Sequence, residues 1–198
     1  MIIVAFDIGF KNLAWSSVSY RNNPQQLNLS SVINNSIENS IVEQMNILNF
    51  DIFDATATVE TNSKNMMEIY KKIHAYLDSL EYVWSSVDVF LIEQQMSTGK
   101  IYNVKALKIS QHILAYFMIR HPTKKILEFG ANYKTACFGV AFRKKKDRKD
   151  WSIEKVSQLI ECDPVIQDYM DTFKKKDDVC DCILMTFVYF FQTLKNIY

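Results

Sequence analysis

The run Lys174-Lys175-Lys176-Asp177-Asp178-Val179-Cys180-Asp181 leads into a stretch in which Val179, Ile183, Phe187, Phe190 and Leu194 recur at helical spacing. Residues three apart share one face of a helix, so Asp178 and Asp181 project together. Two acids in the first turn of an otherwise apolar helix are costly unless a cation lies between them. A divalent metal ion is the simplest such cation. The constraint falls on the rest of the chain, which has to bring further ligands to the start of this helix.

Two other acids stand where strands should end. Residues 2–7 form an apolar run closed by Asp7, as expected of a central strand covered on both faces. Gly9 permits a tight turn, and Asn12 opens a second strand through Tyr20, which makes an antiparallel hairpin. Met66, Ile69, Tyr70, Ile73, Leu77, Leu80 and Trp84 give a helix over 62–84, with Ser63 as its N-cap. Val87–Ile92 is then a β-rich run that ends at Glu93. In such strand–helix–strand units, sites form beyond the carboxyl ends of parallel strands. If the two strands are neighbours, Asp7 and Glu93 meet and the terminal helix packs across them. Asp7, Glu93, Asp178 and Asp181 then form one oxygen-only ligand set, which suits Mg²⁺ or Mn²⁺ and not zinc. Two ions about 3.5–4 Å apart would clamp both the attacking water and the leaving oxygen of a phosphodiester.

The remaining segments complete an α/β pattern. A third strand is expected near Leu27–Ile33, with a short one at Ala57-Thr58-Val59. A second long helix spans 101–119 and stops at Pro122. Lys124–Phe129 is a last strand, and residues 130–150 are a basic connection. A shorter helix follows Ser152, 163–173 add a turn or two, and the terminal helix starts at about 177. No repeat or linker interrupts 1–198, so one domain is expected.

Composition narrows the classes. Four glycines in 198 residues argue against glycine-rich phosphate loops. No stretch of 18 uninterrupted apolar residues suggests a membrane span, and the opening residues do not form a targeting segment. Cys137, Cys162, Cys180 and Cys182 have no CxxC pairing, which suits reduced thiols inside a cell. The net charge of +1 hides an asymmetry: residues 1–98 carry 5 basic and 11 acidic residues, and 99–198 carry 18 and 11. The densest basic run, Arg143-Lys144-Lys145-Lys146-Asp147-Arg148-Lys149, beside a carboxylate cluster suits a polyanion brought to a metal. Glu60, His74, His112 and His121 are expected to be structural, and the Asn34-Asn35-Ser36 sequon to be a chance match.

The segments Asp7-Ile8-Gly9-Phe10-Lys11-Asn12, Ile92-Glu93-Gln94-Gln95 and Lys175–Asp181 together resemble the RuvC-like Holliday junction resolvases. The similarity is to the branch of poxviruses and other large DNA viruses, with fungal mitochondrial relatives, and it runs through nearly the whole chain. It implies an RNase H-like fold, a mixed five-stranded sheet flanked by helices. It also implies a homodimer that makes paired nicks in four-way DNA junctions with Mg²⁺, in recombination or viral concatemer processing. Asp7, Glu93, Asp178 and Asp181 match the family's metal-binding acids, and Asp177 adjoins them. Lys149 matches the family's active-site lysine by position, with Lys146 second. Met96 falls where bacterial relatives carry an aromatic wedge. Lys144, Lys145, Lys146, Arg148, Lys174, Lys175 and Lys176 lie where DNA phosphates would approach.

The expected activity is metal-dependent, structure-selective DNA cleavage in the cytoplasm, at viral replication sites. An RNase H-type or flap nuclease, and a non-catalytic DNA-binding protein of the same fold, are the competing expectations. Four clustered carboxylates without a catalytic use would only repel DNA.

Overall fold

The strand that opens the chain, β1 (Ile2–Asp7), occupies the middle of a sheet. In the computed structural model, which describes residues 1–9, 11–21, 39–57, 66–95, 103–160 and 163–195, β1 is flanked by β2 (Leu13–Tyr20) and β4 (Val89–Gln94). The outer strands are β3 (Met45–Phe53) and β5 (Lys125–Gly130), giving the order β3-β2-β1-β4-β5. The β1–β2 and β2–β3 pairs are antiparallel, and β1–β4 and β4–β5 are parallel. The sheet is therefore mixed and five-stranded. Between β1 and β2 the backbone folds back so closely that a Cβ on Gly9 would lie 2.1 Å from the Asn12 carbonyl oxygen.

Helices accompany the strands, among them α1 (Met66–Ser79), α2 (Glu81–Trp84), α3 (Val104–Arg120), α4 (Asn132–Cys137), α5 (Lys145–Leu159), α6 (Pro164–Asp171) and α7 (Lys176–Lys195). Alternation along the strands splits the apolar residues between two layers. Val4, Phe6, Phe90 and Ile92 join α1 and α3 in one core. Ile3, Ala5, Val89 and Leu91 join α5, α6 and α7 in the other. The terminal helix is buried around most of its circumference from Val179 to Phe190. Tyr20 fixes it to β2: its ring stacks on Phe190 at 4.1 Å, and its hydroxyl lies 3.1 Å from the Thr186 hydroxyl.

Three features go beyond the sequence reading. A strand that it did not contain lies at Met45–Phe53; the strand expected near Leu27–Ile33 falls outside the described residues, as do Ser63, Thr58 and Val59. Asn46, Asn49 and Asp51 give β3 a weak strand signature, and among the described residues it pairs only with β2, with an irregularity at Ser17/Val18. The helix expected over 62–84 is broken. Trp84 Nε1 donates to the Leu77 carbonyl at 2.7 Å, and Ser79 Oγ to the Tyr76 carbonyl at 2.6 Å, so side chains take acceptors at the end of α1. The basic connection at 130–150 contains all of α4 and the first turns of α5. Lysine and arginine are good helix formers. Their charges hide the amphipathic period, because only Ser152, Val156 and Leu159 of α5 are buried.

Candidate active site

Strand parity aims the two strand-end acids. Asp7 continues the side of β1 marked by Ile3 and Ala5, and Glu93 the side of β4 marked by Val89 and Leu91. Both therefore face the layer that holds α7. The parallel register pairs Phe6 with Ile92, so the acids are the next step along two adjacent strands. The first turns of α7 cross above them with Asp178 and Asp181. All four carboxylates line one cavity of about 290 Å³.

Lysine side chains enter the same cluster from two directions. Lys134, on the short helix α4 after β5, is only 2% exposed. Its Nζ donates to Asp181 Oδ2 at 2.9 Å and lies 3.5 Å from Glu93 Oε1. Gly130 allows α4 to turn back over the strand end, since a Cβ there would meet Asn132 Oδ1 at 2.9 Å and the Tyr133 ring at 3.2 Å. Sequence reasoning placed no functional residue at Lys134. It sits in what read as a loop, and the one local signal is a cation four residues after a strand end. Lys149, on α5, pairs with Asp177 and lies 3.5 Å from Asp178 Oδ1. Asp177 thus turns to Lys149, and the cavity wall is formed by Asp178 and Asp181.

The carboxylates are held by neutral donors too. Ser152 Oγ donates to Asp181 Oδ1 at 2.7 Å, so each oxygen of Asp181 has its own partner. Gln95 Nε2 donates to Glu93 Oε2 at 3.1 Å while Lys134 faces Oε1. Such contacts limit rotation and leave the remaining lone pairs aimed at the cavity.

Burial and mutual repulsion disturb the acids of the cluster. Burial pushes the Asp7 carboxyl well above its ordinary value. Glu93 and Asp181 push the same way, and Lys134 opposes them. Asp178 is also raised, by burial first, with Lys149 pulling down. Burial alone would lower the Lys134 ammonium, but Asp181, Glu93 and Asp7 together outweigh it and raise its pKa. Of the cations around the cavity, Lys134 pairs with Glu93 and Asp181, and Lys149 with Asp177 and Asp178. Among the described residues no three His, Cys, Asp or Glu side chains are disposed to hold an ion as they stand. The Lys134 ammonium bridges Glu93 and Asp181. The all-oxygen donor set, with Asp7 and Asp178 raised by burial, fits a hard divalent cation.

The other candidates separate clearly. Lys145 and Arg148 line the cavity alongside Lys149, and so does Lys11. Lys144, Lys146, Lys174 and Lys175 are exposed, and Lys176 bonds Asp171 at 2.8 Å. Cys180 and Cys182 are buried, and burial pushes the Cys180 thiol up to about 12 and raises Cys182 as well, so both stay protonated. His74 and His112 stack on each other at 4.5 Å, between α1 and α3 on the opposite side of the sheet. Glu60, Met96 and Cys162 lie outside the described residues.

Comparison with known proteins gives a consistent result. A family model described as "Poxvirus A22 protein" matches residues 1–193. "Uncharacterized protein 97L" of Invertebrate iridescent virus 3 is 27% identical over 211 residues, covering 95% of this chain and 98% of the relative. Among solved structures, the fowlpox virus Holliday junction resolvase superposes with a TM-score of 0.59 at 18% identity, covering 97% of this chain and 99% of that one. The yeast mitochondrial Holliday junction resolvase Ydc2 superposes with a TM-score of 0.61 at 15% identity, over 98% and 80%. The shared architecture is the RNase H-like fold.

Proposed function

From the premise that the chain belongs to the Poxvirus A22 protein family, we propose that it is a metal-dependent, structure-selective endonuclease that resolves four-way DNA junctions. The observation that carries this reading is the convergence of Asp7, Glu93, Asp178 and Asp181, from two strand ends and one helix, in a cavity edged by Lys11, Lys145, Arg148 and Lys149. The names of the solved relatives point the same way: both are Holliday junction resolvases.

The four acids are the proposed ligands of Mg²⁺ or Mn²⁺, two ions per site. When bound, the metal supplies Lewis acidity and an ionised water at neutral pH. The protein's own groups do the rest. Lys11, Lys145 and Arg148 draw the phosphate backbone to the cavity. Lys149 stands beside Asp178, where its charge can offset negative charge developing on the phosphate. Ser152 and Gln95 fix the angles of Asp181 and Glu93. Lys134 offsets the mutual repulsion of Asp7, Glu93 and Asp181 from beneath.

Paired nicks need two such sites related by a two-fold axis, so the working form is a homodimer of single-domain chains. No described helix is long and apolar enough to cross a membrane. We place the protein at cytoplasmic sites of viral DNA processing and recombination. The test is cleavage of a mobile four-way junction in competition with a flap and an RNA–DNA hybrid. Cleavage should need Mg²⁺ or Mn²⁺ and favour the junction. Asp178→Asn should lower the rate by at least about 10²-fold while junction binding persists. Wild-type cleavage rates in Asp178→Asn, or preference for the hybrid, would refute the reading.

A further inference from the structure

Next to the acidic cavity lies a second one, of about 330 Å³, lined by Phe142, Arg143, Lys144, Lys145 and Arg148. Lys145 and Arg148 belong to the walls of both. One continuous path therefore leads from the carboxylates, over these two cations, to Phe142. The lining of the second cavity has a definite chemistry: four cations, one aromatic ring and no carboxylate. Asp147 and Asp150 lie on the same helix, yet none of the four cations makes an ion pair among the described residues. Lys134, Lys149 and Lys176, by contrast, each pair with an acid.

The ring is also anchored. Phe142 packs on Trp151 at 5.5 Å, Trp151 meets Phe138 edge-on at 5.6 Å, and Phe138 stacks on Phe187 of α7 at 5.6 Å. This aromatic series ties Phe142 to the helix that carries Asp178 and Asp181. A ring so held is a preformed platform and loses little entropy on binding. Unpaired cations attract an anion, and an aromatic ring receives a flat π-system. A nucleotide has both parts.

We propose that this cavity is a nucleotide subsite, which receives the residue adjoining the scissile phosphate with its base against Phe142 and its phosphate among Arg143, Lys144, Lys145 and Arg148. The proposal rests on the nuclease reading above and adds a contact to the base. A base inside a duplex has both faces covered by its neighbours, so only an unstacked base can reach the ring. The subsite therefore favours positions where stacking is interrupted, as at a branch point. The contact is sequence-tolerant, because every base has a π-face.

The experiment uses Asp178→Asn protein and junctions carrying 2-aminopurine singly at each position on either side of the cleaved phosphate. One position should change its fluorescence on binding. Phe142→Leu in the same background keeps an apolar side chain without a π-face. It should abolish that change and weaken junction binding by about tenfold. Phe142→Tyr should retain both, which separates loss of stacking from loss of fold. In the active protein, Phe142→Leu should raise KM more than it lowers kcat. Equal fluorescence and affinity in the Leu and Phe proteins would overturn the subsite while leaving the nuclease assignment intact. Failure of the unmodified protein to bind or cleave any junction would overturn both.

Discussion

The two faces of the sheet use the same strands for opposite purposes. Towards α1 and α3, Phe6, Trp15, Trp84, Phe90 and Phe117 form a dry aromatic layer, with Phe90–Phe117 rings 4.2 Å and Trp15–Trp84 rings 4.9 Å apart. Towards α7, the same alternation ends in Asp7 and Glu93, and the helix above adds Asp178 and Asp181. The first face gains stability from apolar burial and aromatic packing. The second gives up stability by gathering acids in a buried place, where their mutual repulsion is screened least.

Substitutions should separate the faces. Trp84→Ala removes a side chain that is fully buried, touches Phe6, Trp15, Phe90 and Phe117, and donates to Leu77. It should cost about 3–5 kcal/mol in urea unfolding, with cleavage per folded molecule little changed. A large rate loss at unaltered stability would mean that the aromatic layer does more than support. On the other face, Lys134→Met should cost a similar amount without metal, about 3–5 kcal/mol, because it leaves buried carboxylates uncompensated. Added Mg²⁺ or Mn²⁺ should then restore far more stability to this variant than to the parent. If both proteins respond alike to the cation, Lys134 and metal do not share the same charge-balancing task.

The smallest effects concern pH, and here the faces should respond with opposite sign. The Asp7 carboxyl is raised above its ordinary 3.8, chiefly by burial and Glu93, so the folded state holds a proton that the unfolded chain releases. Stability from this group is full below 3.8 and is lost as pH rises through the raised value. His112 is lowered from 6.5 by burial and by His74. Its contribution is present above 6.5 and is lost as pH falls through the lowered value. Without divalent cation, Asp7→Asn should flatten the acid-side slope and His112→Phe the slope below neutrality. Urea titrations across pH 3–8 measure both. A steeper slope in either variant would reverse the assignment for that face.

The legible parts of the site were those with local signatures. Asp178 and Asp181 are spaced to share a helix face, and Asp7 and Glu93 close apolar strand runs. Each signal is readable within a few residues. Lys134 carried only its place four residues after a strand end, since Tyr133-Lys134-Thr135 lies in a segment too short and too polar to show a period. The separate roles of Asp177 and Asp178 were equally hidden. Adjacent helical residues point about 100° apart, and only the position of Lys149 on α5 shows which of them it holds. The strand Met45–Phe53 went unread because a strand needs little apolar character once β2 offers it a hydrogen-bonding partner.

By itself, then, the order of residues determined the class of the sheet, the helix that crosses it and the four acids with their need for positive charge. These depend on period, spacing and charge, which are properties of neighbouring residues. Tertiary structure alone decided that the first counter-charge to those acids is the ammonium of Lys134, donating to Asp181 at 2.9 Å, and that Lys145 and Arg148 join the acidic cavity to the Phe142 cavity. Those facts depend on which strand end and which helix come together in space. Forty residues of chain separate Glu93 from Lys134, and no local pattern records the distance they close on folding.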